Sequence, residues 1–257
     1  MVKVSRMQRG YWIVFGAFAQ LLFLPTVWNL YWFLKGPTEL VEHDGLWIDV
    51  VLALQFAIPH SVLLLPGVKR ILERWVPASL YGSFFCIVTC VSLLITIINW
   101  RTSAETVWQL VGWQSQLVVI LFVGTWGALV YSLSLTGLGY QTGWTTWLQW
   151  LKKQPQLPRR FEPRGAYRFL RHPVYLSFLG LLWLTPQMTV DRLLLAVIWS
   201  VYILVGSCLK DRRLSFYVGQ VYLDYQARVP GFPAMPLGPL ARIARSSNGP
   251  LPSVLHR

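Results

Sequence analysis

Long apolar runs constrain the fold of this chain more than any other sequence feature. Four of them, at residues 11–34, 46–65, 78–99 and 116–137, each approach the roughly 20 residues that a membrane-crossing helix needs. With 54% hydrophobic and only 13% charged residues, the chain is too apolar for an ordinary water-soluble domain. The sequence therefore predicts an all-α, polytopic integral membrane helical bundle.

A fifth apolar run, residues 174–209, is too long for one crossing and is interrupted near its middle. The interruption reads Thr-Pro-Gln-Met-Thr from Thr185 and is followed by Asp191 and Arg192. Because proline and polar residues favour a turn, this pattern predicts a helical hairpin with arms at 174–184 and 193–209. About six membrane segments are expected, with Gln187, Asp191 and Arg192 at the turn.

Lysine and arginine residues are distributed very unevenly between the two sets of predicted loops. Of the 23, all but Lys35, Arg101 and Arg192 fall on one side, and this side is predicted to be cytoplasmic and to hold both termini. The net charge of +13 is thus spread over membrane-flanking loops. This distribution argues against a nucleic-acid-binding domain and indicates anionic lipid headgroups as partners.

Composition divides the chain into three parts. Residues 1–151 form the four-span bundle, residues 152–236 hold a Pro- and Arg-rich cytoplasmic linker with the C-terminal unit, and residues 237–257 are predicted to be poorly ordered. The three cysteines lie in apolar runs, and no metal-ligand spacing is present. A metal site is therefore not expected.

The motif Arg171-His172-Pro173 begins the hairpin. Proline suits the first turn of a helix and discourages helical geometry in the residue before it. Arg171 and His172 would then lie at a helix N-terminus, where exposed N–H groups favour an anion such as a carboxylate. An equally good interpretation is that Arg171 reaches lipid headgroups and His172 only caps the helix.

A second polar group follows the last span. It consists of Lys210-Asp211-Arg212-Arg213, with Tyr222 and Tyr225 further on, three residues apart and therefore on one helix face. The simpler interpretation is that the cations end a helix and the aromatic side chains form an interfacial belt. His60, near the end of the second span, is a further candidate, although packing beside Ser61 is its more ordinary role.

Several of these motifs together resemble a known superfamily. They are Leu-Arg-His-Pro-Val-Tyr from Leu170, Trp-Leu-Thr-Pro-Gln-Met-Thr from Trp183, and Gly-Gln-Val-Tyr-Leu-Asp-Tyr-Gln-Ala-Arg-Val-Pro from Gly219. In this order they resemble the integral-membrane methyltransferases that include isoprenylcysteine carboxyl methyltransferase. The similarity is greater to the nurim and NnrU-like branch, where methanethiol S-methyltransferase is found, and it covers roughly residues 45–236.

The resemblance implies S-adenosylmethionine as cofactor, bound at the cytoplasmic face. By position, it implies cofactor contacts for Arg171, His172, Tyr175, Leu176, Gly180, Asp211, Tyr222 and Tyr225. The family usually ends its last span in a Glu-Glu pair, whereas this chain has Lys210 and Asp211. A cation thus replaces an expected acid beside the predicted cofactor.

The reaction implied by the resemblance is methyl transfer to a small thiol, with methanethiol giving dimethyl sulfide. A dry, low-dielectric site favours this reaction because a sulfonium and a thiolate lose their charges in it. Arg212 would stabilise the thiolate and His172 would act as base. Two alternatives stay open: a lipid or prenylcysteine acceptor, and a non-enzymatic nurim-like membrane protein.

Overall fold

The computed structural model describes residues 6–36, 45–156 and 161–243. Its helices and strands, in chain order, are α1 Arg6–Lys35, α2 Leu46–Leu63, α3 Pro66–Leu72, α4 Tyr81–Asn99, β1 Thr106–Gln109, α5 Gly112–Thr136, α6 Leu138–Gln141, α7 Trp144–Leu151, α8 Pro173–Trp183, β2 Gln187–Thr189, α9 Val190–Val218 and α10 Gln220–Arg228. Short 3₁₀ turns at Ala78–Leu80 and Gly165–Arg168 precede α4 and α8. The predicted all-α class is confirmed.

Five helices are long and apolar enough to cross a membrane. They are Arg9–Lys35, Leu46–Leu63, Ala78–Asn99, Gly112–Thr136 and Val190–Val218, which include the four predicted spans and the second arm of the hairpin. The first arm, α8, has 11 residues and extends only about 16 Å at 1.5 Å per residue. It reaches partway through a hydrocarbon core that is about 30 Å thick.

Large apolar side chains face outward along the spans. On α1, for example, Val14, Leu21, Leu24 and Trp28 are each more than 60% exposed and recur at helical spacing along one face. In water such a surface would aggregate, whereas in a bilayer it contacts lipid tails. The exposed faces therefore support a protein that is integral to the membrane.

The core lies where α8 and α9 pack into the bundle. Leu181 of α8 and Leu195 of α9 are buried there with Phe122 of α5. Trp199 of α9 donates its indole N–H to the Ala53 carbonyl of α2 at 3.2 Å. Gly180 permits close approach of α5, because a Cβ at this position would lie 2.9 Å from the Thr125 methyl carbon.

A two-stranded antiparallel sheet closes the end of the bundle where α9 begins. β1 pairs with β2, and the first turn of α9 carries Asp191, which accepts hydrogen bonds from the Trp100 indole at 2.8 Å and the Ser103 amide at 2.9 Å. Arg192 donates to the Phe33 carbonyl at 2.6 Å. The predicted turn is thus present, and both Asp191 carboxylate oxygens and one terminal nitrogen of Arg192 are hydrogen-bonded within the protein.

The C-terminal unit folds back over the start of α8. α9 continues nine residues past the predicted arm, so that residues 210–213 belong to the same helix as the span. Of the tail that the sequence predicts to be poorly ordered from residue 237, residues 237–243 are described; Leu237 and Ile243 are exposed, while Leu240 and Ala241 are buried. They are held by Gly231, whose amide donates to the Leu240 carbonyl at 2.7 Å. The rest of the predicted tail lies outside the described residues.

Candidate functional site

Arg171 and His172 form an extended segment that pairs with the chain after α10. The Arg171 amide donates to the Pro230 carbonyl at 2.9 Å and the His172 amide to the Gly231 carbonyl at 3.2 Å. A Cβ on Gly231 would lie 2.8 Å from the Leu240 carbonyl oxygen, so only glycine fits between these strands of chain. Pro173 then begins α8, as the sequence predicts.

The Arg171 guanidinium is fully buried and almost fully occupied by protein groups. Its Nη2 lies 3.0 Å from Asp211 Oδ2. Its terminal nitrogens also donate to four backbone carbonyls, those of Gln226, Val229, Pro239 and Ala241, at 3.0 to 3.3 Å. A single arginine therefore fastens α9, α10 and the following segment to the start of α8.

Asp211 joins the other polar residues to this arginine. Its Oδ1 accepts a 2.5 Å hydrogen bond from the Tyr222 hydroxyl and lies 3.1 Å from His172 Nε2. The imidazole packs between the rings of Tyr175 and Phe232, at centroid distances of 5.5 and 5.6 Å. We call Arg171, His172, Asp211 and Tyr222 the polar cluster.

The protonation states in the polar cluster follow from its burial. Loss of hydration lowers the pKa of His172 below its ordinary value, and Asp211 only partly opposes this effect. Burial and then the Asp211 carboxylate raise the pKa of Tyr222, so its phenol stays protonated and donates. At neutral pH the cluster therefore contains one ion pair, Arg171 with Asp211, and two neutral side chains, His172 and Tyr222.

A cavity of about 280 Å³ lies on the other side of α9, between this helix, α2, the start of α3 and α8. The residues that line it are His60, Ser61, Leu64, Leu65, Pro66, Tyr175, Tyr202, Ile203, Gly206, Leu209, Lys210, Arg212, Arg213 and Phe216. We call it the basic cavity, because three cations and no acidic residue are among the described side chains that line it.

Two of the three cations have defined positions. The Lys210 ammonium lies over the Tyr175 ring, 5.1 Å from its centroid, and 5.9 Å from that of Tyr167. Arg213 donates to the Leu64 carbonyl at 3.2 Å, at the corner between α2 and α3. Within the described part of the chain neither forms a salt bridge with a carboxylate. Positive charge of this kind at an apolar boundary is typical of a site that binds an anion.

A histidine and a tyrosine meet deeper in the basic cavity. His60 Nδ1 and the Tyr202 hydroxyl are 2.6 Å apart and share a hydrogen bond. The imidazole also contacts the rings of Phe56 and Phe85, at centroid distances of 5.6 and 5.0 Å. The imidazole is therefore held among aromatic rings in the same cavity that the three cations line.

The structure separates the residues that the resemblance implies as one site. Arg171, His172, Asp211 and Tyr222 form the polar cluster, while Tyr175 and Arg212 line the basic cavity. Leu176 packs against the main core and Gly180 against α5. Tyr225 donates to the Tyr167 carbonyl at 2.5 Å. Cofactor contact by any of these residues stays a prediction.

The sequence analysis named His60 as a candidate and placed Lys210 and Arg213 in the second polar group without giving them a role, and it missed Tyr202. The cavity face of α9 carries residues 202, 206, 209, 210 and 213, which follow the three- and four-residue spacing of one helix face. That spacing could have been recognised in the sequence. The partner face on α2 could not, because it depends on how the helices pack.

Comparison with characterised proteins gives matches over most of the chain. A methanethiol S-methyltransferase from a Pseudomonas species is 32% identical over 220 residues, which cover 81% of this chain and 84% of that protein. The methanethiol S-methyltransferase of Mycobacterium tuberculosis is 28% identical, over 87% of this chain and 96% of its own. Nurim of Danio rerio is 32% identical over 70% of this chain and 66% of its own. No family model and no solved structure matches.

Proposed function

The chain belongs to the nurim-like family that contains the methanethiol S-methyltransferases, and from this membership we propose that it is an S-adenosylmethionine-dependent membrane methyltransferase acting on a small thiol. Methanethiol, giving dimethyl sulfide, is the named acceptor. The observation that carries the proposal is the basic cavity, whose cations and tyrosines stand beside the arginine motif that the resemblance singles out.

The side chains of the basic cavity fit the cofactor's chemistry. Lys210, Arg212 and Arg213 can bind the carboxylate of its methionine part. The rings of Tyr175 and Tyr202 can contact the adenine base or the sulfonium, which aromatic faces attract. The volume of about 280 Å³ is at the lower end for ligand pockets. When bound, the cofactor supplies an electrophilic methyl group.

The polar cluster adjoins residues that line the basic cavity and holds them in position. Asp211 is held by Arg171 and Tyr222, and it follows Lys210 directly on α9. His172 packs on Tyr175, which lines the cavity. In this proposal the cluster fixes the positions of Lys210 and Tyr175, and only the cavity residues contact ligand directly.

The charge of the cavity suits a thiol acceptor. An ordinary thiol has a pKa of about 8.5 or higher and is mostly protonated near neutrality, so a thiolate needs stabilisation. Arg212, which lines the cavity, supplies positive charge for it. Methylation then removes the anionic charge in surroundings of low dielectric constant, where loss of charge is favoured. The limited volume favours a small acceptor.

Two measurements on detergent-purified protein test the proposal. Thermal stabilisation by S-adenosylmethionine or S-adenosylhomocysteine is expected, together with dimethyl sulfide in the headspace when methanethiol is supplied. Arg212→Met should reduce both readouts, whereas Arg228→Met, at an exposed site outside the cavity, serves as a matched control.

Three results would contradict parts of the proposal. Absence of any cofactor-dependent stabilisation would favour a nurim-like protein without turnover. Cofactor binding with methylation of a prenylcysteine or an aminophospholipid, but not of methanethiol, would assign a different acceptor. Equal loss in the Arg212 and Arg228 variants would remove the basic cavity from the proposal.

A further inference from the structure

The basic cavity contains one side chain suited to take a proton from a thiol. Its described lining includes three cations, which have no acceptor, and the phenols of Tyr175 and Tyr202, which are protonated near neutrality. His60 is the remaining titratable residue in that lining. A neutral imidazole has one unprotonated ring nitrogen, which can accept a proton.

The hydrogen bond to Tyr202 sets which nitrogen is available. Nδ1 lies 2.6 Å from the Tyr202 oxygen, and none of the hydrogen bonds among described residues uses Nε2. If Nδ1 carries the hydrogen and donates it to Tyr202, then Nε2 is an unprotonated acceptor. In that tautomer Tyr202 accepts from Nδ1, and Nε2 is the nitrogen that can take a proton.

His172, the histidine of the arginine motif, is placed differently. Its side chain is fully buried in the polar cluster, with Nε2 directed at Asp211 at 3.1 Å. It does not line the basic cavity, which lies on the other side of α9 from Asp211. A substrate in the cavity therefore meets His60 and not His172.

On these observations, and resting on the thiol methyltransferase function proposed above, we propose that His60 is the catalytic base and that Tyr202 is its positioning residue. The S–H bond of the bound thiol breaks, its proton goes to His60 Nε2, and the electron pair stays on sulfur. Arg212 and Arg213 stabilise this thiolate. Its sulfur would form the new S–CH₃ bond while the S–CH₃ bond of the cofactor's sulfonium breaks, and the electron pair of that bond would remain on the cofactor's sulfur as a neutral thioether. His60 afterwards returns the proton to water at the cavity mouth.

The test compares two thiol acceptors of similar length and different acidity. Ethanethiol and 2,2,2-trifluoroethanethiol have the same skeleton, but the fluorines make the second thiol far more acidic, so that it needs a base less. His60→Gln should lower the rate with ethanethiol by about 100-fold or more, the usual contribution of a general base. For the same variant, the fold-loss in rate with the fluorinated thiol should be at least about tenfold smaller than the fold-loss with ethanethiol.

Cofactor binding is the second readout and separates a missing base from a damaged fold. Thermal stabilisation by S-adenosylhomocysteine should be the same in wild type and His60→Gln. Tyr202→Phe provides a second variant. Its loss of rate with ethanethiol should be smaller than that of His60→Gln, and its loss with the fluorinated thiol should be smaller still. His172→Gln serves as the matched histidine control, and its loss should be equal for the two thiols.

The outcomes distinguish this inference from the function on which it rests. Turnover in wild type with an equal loss for both thiols in His60→Gln would overturn the base assignment and leave the methyltransferase proposal standing. If His172→Gln loses less rate with the fluorinated thiol than with ethanethiol, and His60→Gln does not, the role of base would belong to His172. Absence of thiol methylation in wild type would overturn both.

Discussion

The polar cluster and the basic cavity begin at adjacent residues of α9 and use charge in opposite ways. Asp211 enters the cluster, where the arginine is paired and the hydroxyl donates to the carboxylate. Lys210 and Arg212 precede and follow Asp211 in the sequence and line the cavity, whose described lining contains no carboxylate. Successive helical residues point about 100° apart, so one turn serves both regions.

This difference indicates how to assign roles to polar residues at a membrane boundary. A buried ion pair with all its partners in the protein fastens helices together, and losing one partner is costly. Cations gathered around a cavity without an acid cost stability and are kept for a ligand. The four residues 210–213 thus include one that fastens helices together, Asp211, and three that line the cavity.

The largest effect should come from breaking the polar cluster. Arg171→Met leaves Asp211 buried without its cation and frees four carbonyls, so we expect a loss of about 3–5 kcal/mol in the free energy of unfolding. Cofactor binding should disappear with it. Thermal unfolding in detergent measures the loss, and adding Asp211→Asn to the same chain should recover part of it. Unchanged stability would mean that the cluster fastens nothing.

A smaller change tests one bond of the same cluster. Tyr222→Phe removes the hydroxyl that donates to Asp211 at 2.5 Å, and a lost hydrogen bond to a buried charge costs about 1.5–3 kcal/mol. Unfolding should shift by this amount, while Tyr225→Phe, which removes a bond to a neutral carbonyl, should shift it less. A larger shift in the Tyr225 variant would contradict the central place of Asp211.

The cavity should respond in the opposite manner. Lys210→Met removes a charge that forms no salt bridge among the described residues and keeps an apolar side chain of similar length beside the Tyr175 ring, so stability should change by no more than about 0.5 kcal/mol. Affinity for S-adenosylhomocysteine should fall about tenfold, which corresponds to about 1.4 kcal/mol. Calorimetric titration measures it. Loss of stability without loss of affinity would place Lys210 with the architectural residues.

The smallest effect is expected outside both regions. Arg228 is exposed, and its Nε donates to the Asp224 carbonyl within α10. Arg228→Met should leave unfolding within about 0.5 kcal/mol of wild type and leave cofactor affinity unchanged. A marked effect on either would show that a third basic region matters.

The membrane spans could be predicted because their signal is local. Length and hydropathy identify each one, and the predicted and observed bounds of the second span differ by two residues. The pairing of β1 with β2 could not be predicted, because both strands are short and are joined across about 80 residues of chain. Their contact depends on which helices meet.

The candidate site was predictable as a set of residue types, not as a geometry. The motif at Arg171 and the tyrosines of α10 are visible in the sequence, and Asp211 is marked by its place after the span. Arg171 donates its hydrogen bonds to backbone carbonyls only because residues 229–241 fold back over α8, and this return cannot be recognised in the sequence. The pairing of His60 with Tyr202 depends in the same way on α2 meeting α9.

The spacing of Arg171 and its partners along the chain also orders events during synthesis. The carbonyls that satisfy this arginine are made 55 to 70 residues after it, when both arms of the hairpin have already been translated. Until they emerge, the guanidinium has to be solvated by water or headgroups, so it holds the start of α8 at the bilayer surface. The hydrogen bond from Arg171 to the Ala241 carbonyl can form only after residue 241 leaves the ribosome. Completion of the Arg171 contacts is therefore a late event in the folding of the C-terminal unit.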